Sequence, residues 1–278
     1  MHTLVDLLIH TDTRPSAILL PEDGTEIGYG SLSDQVDRLA ARLRHSGLDP
    51  GQVVAIALPN GIEYLVAFLT ATRARLIAAP MHPAYKAEAF RFFLEDFEAR
   101  IVMTTSVADA VREAPRALRL PVWTASRNAT GDVQLSDPGC SASTKDTPDA
   151  PVPGDIALLM HTSGTTGRPK AMPLTHANVT ASVCHIAAHD QLSPADTGLV
   201  VMPLFHGHGL IGATLSALFA GARIVLPDRF SAHAFWPLVR AHTVTWYAAV
   251  PTIHQILLAR AASDNADSLH RRSYASLA

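Results

Sequence analysis

The chain has 278 residues, 48% of them hydrophobic and 17% charged, which is ordinary for a soluble globular protein of one large domain or two small ones. A net charge of −3, with Arg271-Arg272 as the longest basic run, excludes a nucleic-acid surface built on a basic field. Two cysteines, Cys140 and Cys184, exclude a disulfide framework or a cysteine zinc site, and no run is long and apolar enough to span a membrane.

The stretch Met1–Ile9 carries Asp6 inside its short apolar run and lacks a basic leader, so we expect no signal peptide and a cytoplasmic location. Thr3 to Ile9 suits a short helix. Ser31-Leu32-Ser33-Asp34 opens a longer one, with Ser31 as cap, Leu32, Val36, Leu39, Ala40 and Leu43 at helical spacing, and Gly47 as the stop. Strands are expected at 53–58, 76–79, 101–104 and 121–124, alternating with helices at 62–75, 87–98 and around 107–114. From about 126 to 153 the chain turns polar and rich in Ser, Thr, Asp, Gly and Pro, which marks a surface excursion or an internal linker. Beyond it, Ile156 to Met160 reads as a buried strand, and Thr175 caps a helix running to about His189. A strand at 199–202, a helix after Gly209, a strand at 224–226, a helix from Ala232, a strand at 244–248 and a helix at 252–262 follow. Strands alternating with helices throughout predict an α/β fold of layered, mostly parallel sheets flanked by helices.

Between the strand at 156–160 and the helix after Thr175 lies His161-Thr162-Ser163-Gly164-Thr165-Thr166-Gly167-Arg168-Pro169-Lys170. Gly164 and Gly167 permit positive φ and close backbone approach, so successive N–H groups can converge on phosphate oxygens. Thr162, Ser163, Thr165 and Thr166 add neutral donors, and Lys170 supplies a flexible positive charge suited to a leaving pyrophosphate. The spacing is not that of the Walker A loop, because Pro169 precedes the lysine and Ala171 follows it. A polar turn with a surface lysine is the alternative.

Pro203-Leu204-Phe205-His206-Gly207-His208-Gly209 joins a predicted strand to a helix, where open α/β sheets place ligands. If the chain stays extended there, His206 and His208 point the same way. A zinc pair without an identifiable third ligand, two structural histidines, and a substrate or nucleotide pocket all fit this pattern.

The run from His161 to Lys170 closely resembles the phosphate-binding signature of the adenylate-forming enzymes, which include acyl-CoA synthetases, the adenylation domains of peptide synthetases and luciferases. That family also carries a Pro-x-x-Phe-His segment, matched by Pro203 to His206, in which the histidine borders the acyl and adenylate pocket. The segments 80–86, 230–236 and 246–254 look most like the oxalate-CoA ligase and 4-coumarate-CoA ligase-like branch, with His82 where asparagine is expected and Ala171 in place of a usual glycine.

The resemblance implies an incomplete N-terminal adenylating domain. It also implies a two-step reaction with ATP, Mg²⁺ and coenzyme A in which a small carboxylic acid becomes an acyl-adenylate and then a thioester. It assigns phosphate contacts to Thr162, Ser163, Gly164, Thr165, Thr166, Gly167 and Lys170, catalytic roles to Lys170 and His206, and the pocket to His206; His208 is our candidate donor for a small dianionic acid. No protein metal ligand set is expected. The family's tyrosine-glycine-threonine-glutamate segment, its ribose-binding aspartate and its C-terminal domain are not found before Ala278. The 278-residue chain alone is therefore expected to be inactive in thioester formation, and to self-associate through any strand edge left unpaired. A ligase for aryl or medium-chain acids, and a non-catalytic nucleotide-binding protein, are the alternatives.

Overall fold

Seven strands in the order β7-β6-β5-β3-β4-β8-β9 make the larger of two sheets in the computed structural model, which describes residues 2–8, 16–105, 109–136, 149–162 and 169–261. The chain divides into two compact units, the first comprising Met1–Asp6 and Ser31–Ala181, the second Leu7–Gly30 and Ser182–Ala278.

In the first unit β3 (Val53–Ala57), β4 (Ile77–Pro80), β5 (Ala99–Thr104), β6 (Val122–Arg127) and β8 (Ile156–Thr162) run parallel, each next to its sheet neighbour. One face of β3 and β4, with Ala55 and Ala79 fully buried, packs under Phe90 and Leu94 of α3 (Ala87–Asp96) and Val111 and Ala114 of α4 (Asp109–Ala117). The alternate residues Val54, Ile56 and Ala78 are equally buried, and α2 (Ile62–Arg73) packs on β3, β4, β6 and β7. Covered on both faces, these strands read as continuous apolar runs rather than as alternation, which is why the sequence marks them clearly.

The second unit has a four-stranded sheet in the order β10-β11-β1-β2. In it β1 (Ile18–Leu20), β10 (Thr197–Leu199) and β11 (Arg223–Val225) are parallel, and β2 (Thr25–Ile27) returns antiparallel beside β1. Leu19, Leu199 and Val225 pack with Phe235 and Val239 of α7 (Ala232–Ala241) and Leu257 of α8 (Pro251–Ala261). Ser231 caps α7, accepting the N–H of Ala234 at 3.3 Å.

Several expectations need correction. Helix α1 spans Tyr29–His45, so Ser31 lies inside it and accepts from Gln35 rather than capping the backbone. Its start is held instead by the Tyr29 hydroxyl, which reaches the carbonyls of Ala222 at 2.7 Å and Leu218 at 3.1 Å. Gly47 does follow the helix in the left-handed region, at φ 83°. The polar stretch 126–153 contains β7 (Val133–Ser136), paired antiparallel to β6, with Val133 and Leu135 buried and Gln134 and Ser136 exposed. The expected strand at 244–248 is reduced to one bridge between Trp246 and Gly198, where the Trp246 indole takes the space a Cβ on residue 198 would need. Strands β1 and β2 lie in a stretch where no element is expected from the sequence.

Among the described residues, four helix-to-strand connections and the turn that leaves α7 each use a left-handed residue that is not glycine: Arg75, Glu98, Arg119, Gln191 and Thr243, with φ between 52° and 62°. Arg75, Arg119, Gln191 and Thr243 are each followed by an N–H that reaches back five residues, as in Leu76 to Ala71, Leu120 to Pro115, Leu192 to Ala187 and Val244 to Val239. These bonds satisfy the carbonyls a helix end leaves open.

Candidate functional site

Strand β8 is the last parallel strand of the large sheet, and β9 (Lys170–Thr175) folds back antiparallel on its outer side. The phosphate-loop sequence therefore joins the two strands of a hairpin, whereas a strand-to-helix connection was expected. The sequence hides β9 because Lys170-Ala171-Met172-Pro173-Leu174-Thr175 shows no apolar alternation and contains a proline, which only an edge strand tolerates. The helix cap is as expected. Thr175 Oγ1 accepts the N–H of Asn178 at 3.1 Å, and Asn178 Oδ1 accepts the Thr175 N–H at 3.1 Å, a reciprocal box that starts α5 (His176–His189).

Thr162 and Lys170 pair across the hairpin stem at the carboxyl end of β8. Ser163, Gly164, Thr165, Thr166 and Gly167 lie outside the described residues. The Lys170 side chain is exposed and makes no hydrogen bond or ion pair to any described residue, so its ammonium can take an anionic ligand. His161, the first residue of the motif, turns to helix α3 instead: its Nε2 lies 2.7 Å from Asp96 Oδ2, and its ring packs on Phe93 and Phe97.

His206 and His208 belong to the second unit. The chain is not extended there: Gly207 is helical, at φ −53° and ψ −37°, and His208 opens a π-helix, His208–Leu215, that continues into α6 (Ser216–Phe219). The same-side argument for the two histidines therefore fails. His206 is exposed, its carbonyl accepting the N–H of Leu210 at 2.9 Å. His208 is half-buried, and its Nε2 is sealed from solvent with no hydrogen-bond partner among the described residues. Burial, and secondarily the nearby His254, hold the His208 imidazole below the usual histidine range, so at neutral pH it is an uncharged group that can donate or accept one hydrogen bond.

The backbone packs closely at Gly209, where a Cβ would sit against the Pro203 carbonyl oxygen. Thr214 and Ser216 return their hydroxyls to the carbonyls five residues back, Gly209 and Ile211, at 2.9 and 2.7 Å, satisfying acceptors of the wider helix. Among the described residues no three His, Cys, Asp or Glu side chains group to hold a metal.

Phe235 and Trp246 are core residues, 1% and 4% exposed. Tyr247 and His254 bond to each other at 3.0 Å, and His254 Nε2 lies 3.1 Å from the Ala249 carbonyl, so His254 is structural. A cavity of about 250 Å³, not anticipated from the sequence, opens at the carboxyl ends of β1, β10 and β11 between Leu199, Val201, Phe230 and Phe235. Its signal was the Pro that follows each of two strands, Pro21 and Pro227. No helix among the described residues is long and apolar enough to cross a membrane.

Residues 9–277 match the family model described as AMP-binding enzyme. An oxalate-CoA ligase of Arabidopsis thaliana is 43% identical over 241 residues, covering 84% of this chain and 47% of the relative. An oxalate-CoA ligase of Saccharomyces cerevisiae is 32% identical, with 87% of this chain and 50% of the relative covered, and a sulfoacetate-CoA ligase of Cupriavidus necator is also 32% identical, with 87% and 47% covered. Among solved structures, apo MatB from Rhodopseudomonas palustris superposes with a TM-score of 0.77 at 26% identity, covering 92% of this chain and 51% of that one. The chain spans about half the length of the curated relatives it matches. On the strength of the family model and these relatives, the chain belongs to the AMP-binding enzyme family.

Proposed function

We propose that this chain is the N-terminal part of an ATP-dependent, AMP-forming acid-CoA ligase that activates a small carboxylic acid, with oxalate as the first candidate. The observation that carries the reading is the β8–β9 hairpin, which presents an exposed Lys170, its side chain unpaired to any described residue, beside the phosphate-loop sequence at the carboxyl end of a parallel sheet. The names of the relatives, two oxalate-CoA ligases and a sulfoacetate-CoA ligase, support a short, doubly anionic acid.

In this reading a carboxylate oxygen of the acid attacks the α-phosphorus of ATP, the bond to the β,γ-pyrophosphate breaks, and Mg²⁺-pyrophosphate leaves. The thiol sulfur of coenzyme A then attacks the acyl carbon and AMP departs with the bonding pair. The backbone at Gly164 and Gly167 and the hydroxyls of Thr162, Ser163, Thr165 and Thr166 would hold the phosphates, with Mg²⁺ carried on the nucleotide. Lys170 offsets the charge that grows on the leaving group. His206 borders the acyl pocket. His208, uncharged and with a buried Nε2 that no described residue meets, suits a donor to the distal carboxylate of a small diacid in the tautomer that protonates Nε2, because a buried polar nitrogen gains from such a partner.

Acid-dependent exchange between ATP and pyrophosphate, measured on the full-length enzyme, tests the assignment. Oxalate is expected to stimulate exchange where aryl and medium-chain acids do not; stimulation by aryl acids alone would overturn the substrate class. For His208, the Ala variant is expected to weaken apparent affinity for short diacids, and an unchanged affinity for all of them removes it from the pocket.

A further inference from the structure

The β8–β9 ladder carries two irregularities, a bulge and a proline. Near its base a bulge interrupts the ladder, since Ile156 pairs with Thr175 and Leu158 with Leu174, leaving Ala157 as the extra residue on β8. From there the pairs run one to one to His161 with Ala171 and Thr162 with Lys170. β9 is an edge strand with Pro173 in its middle, which contributes no N–H. A one-residue slip of such a strand turns every side chain to the other face of the sheet.

His161 supplies what the ladder lacks. Its ring centroid lies 4.0 Å from that of Phe97 and 4.6 Å from that of Phe93, and its Nε2 is 2.7 Å from the carboxylate of Asp96, the last residue of α3. Its side chain is 11% exposed, so this is a seated group and not a surface contact. Phe93 stacks in turn on Tyr85 at 4.9 Å, and Tyr85 neighbours His82 at 5.5 Å, both in the loop that leaves β4. The ladder of rings thus joins that loop, at the carboxyl end of β4, to the carboxyl end of its sheet neighbour β8.

We propose that His161 is a positioning residue for Lys170: clamped by Phe93, Phe97 and Asp96 on the α3 face, it fixes the hairpin register that turns Lys170, the next rung, to the opposite face. The inference rests on the reading of Lys170 as the cation that meets the nucleotide phosphates. His161 itself touches no ligand in this account, because its ring and Nε2 are spent on α3.

Titration calorimetry of the full-length enzyme with Mg·ATP tests it, alongside steady-state kinetics. His161→Phe keeps the stack and removes the hydrogen bond, and Asp96→Ala removes the same bond from the other side. Each is expected to weaken Mg·ATP binding about tenfold, as loss of one charge-assisted hydrogen bond allows. Combining the two is expected to add little, since they delete one contact. Asp96→Asn, which keeps an acceptor oxygen, is expected to bind like the wild type. The KM for ATP rises while the KM for the acid and the melting temperature of Asp96→Ala hold steady, a split that a purely structural role would not give.

Affinities within twofold of wild type in Asp96→Ala overturn the proposal, and this holds even where His161→Phe fails to fold, since Asp96 is 38% exposed. Lys170→Ala separates the two layers. If it weakens Mg·ATP binding while the His161 and Asp96 variants do not, only the positioning role falls; if Lys170→Ala binds Mg·ATP normally, the phosphate reading falls and takes this role with it.

Discussion

Arg75 and Asp155 clasp each other through two parallel contacts, Nε to Oδ2 at 2.9 Å and Nη2 to Oδ1 at 3.2 Å. Arg75 stands just before β4 and Asp155 just before β8, so the pair staples the amino ends of two neighbouring strands whose carboxyl ends carry the candidate site. Asp155 also accepts the N–H of Val152 through Oδ2 and that of His176 through its own carbonyl. Burial alone would raise its carboxyl, but the bonds from Arg75 and Val152 outweigh that and hold it below the usual range. A depressed carboxylate stabilises the fold above its unfolded-state pKa and loses that contribution as pH falls through the folded value. Arg75→Met is therefore expected to lower the urea midpoint at pH 7 and to converge on the wild type in strong acid. A gap that stays constant down to pH 2 would mean the pair contributes through packing alone.

His176 adds acid sensitivity of the same sign, by burial and not by pairing. Fully buried at the start of α5, it accepts the N–H of Leu4 on Nδ1 at 3.1 Å, and burial lowers its pKa to about 4 against the partial pull of Asp155 and Asp6. The folded state thus refuses a proton that the unfolded chain takes up below about pH 6.5, so stability is complete above that pH and falls between it and pH 4. The loss amounts to about 3 kcal/mol over that window. His176→Asn keeps an acceptor near Nδ1 and cannot titrate. Urea unfolding from pH 4 to 7 is expected to lose this slope in the variant; an unchanged slope would assign the acid sensitivity to other groups.

Gly209, in the second unit, leaves no room for a side chain. A Cβ there would lie against the carbonyl oxygen of Pro203 and 2.8 Å from that of Met202, both backbone atoms that cannot swing aside. Gly209→Ala is expected to cost about 3 kcal/mol or more by displacing the first turn of the π-helix and His208 with it. Gly212→Ala is the control, because a Cβ there would meet the His208 ring at 3.1 Å, a side chain and not backbone. Thermal melts in which the two variants behave alike would show that the backbone relaxes at no cost.

Thr243 is a β-branched residue at φ 53°, exposed at the end of α7, where the next N–H bonds back to Val239 at 3.1 Å. The left-handed conformation costs such a residue about 1–2 kcal/mol, more than glycine gives up in the unfolded chain. Thr243→Gly is expected to raise stability by about 0.5–1 kcal/mol. A lower melting temperature would mean that the Thr243 side chain makes a compensating contact.

The same five left-handed residues explain much of what the sequence conceals. Gly47 announced the end of α1, yet Arg75, Glu98, Arg119, Gln191 and Thr243 end their helices with no glycine to read, so those boundaries come from tertiary closure and not local preference. Doubly buried strands such as Val53–Ala57 and the first residues of β8 were legible because burial on both faces demands an unbroken apolar run. β9 was not, because an exposed edge strand needs no pattern, and β1 and β2 are only three residues each. At the site, Lys170 and the Thr175 cap follow from residue type and spacing. The folded turn at Gly207 does not, since glycine permits both the extended chain and the helix found.

Lys170 offers the most direct measurement on the site. Being exposed and unpaired to any described residue, it contributes little to stability, so its removal is expected to leave the melting temperature within about a degree of wild type. If it meets the charge that develops on the departing pyrophosphate, Lys170→Ala lowers the rate of acid-dependent ATP–pyrophosphate exchange in the full-length enzyme about a hundredfold, the scale of losing one electrostatic partner of a transition state. The KM for the acid stays where it was, because the lysine is not part of the acyl pocket. Lys170→Arg keeps the charge but replaces a compact ammonium with a planar fork, and recovers only part of the rate. An exchange rate that is unchanged in Lys170→Ala would return this lysine to the status of a surface residue and leave the phosphates to the backbone and hydroxyls of the loop.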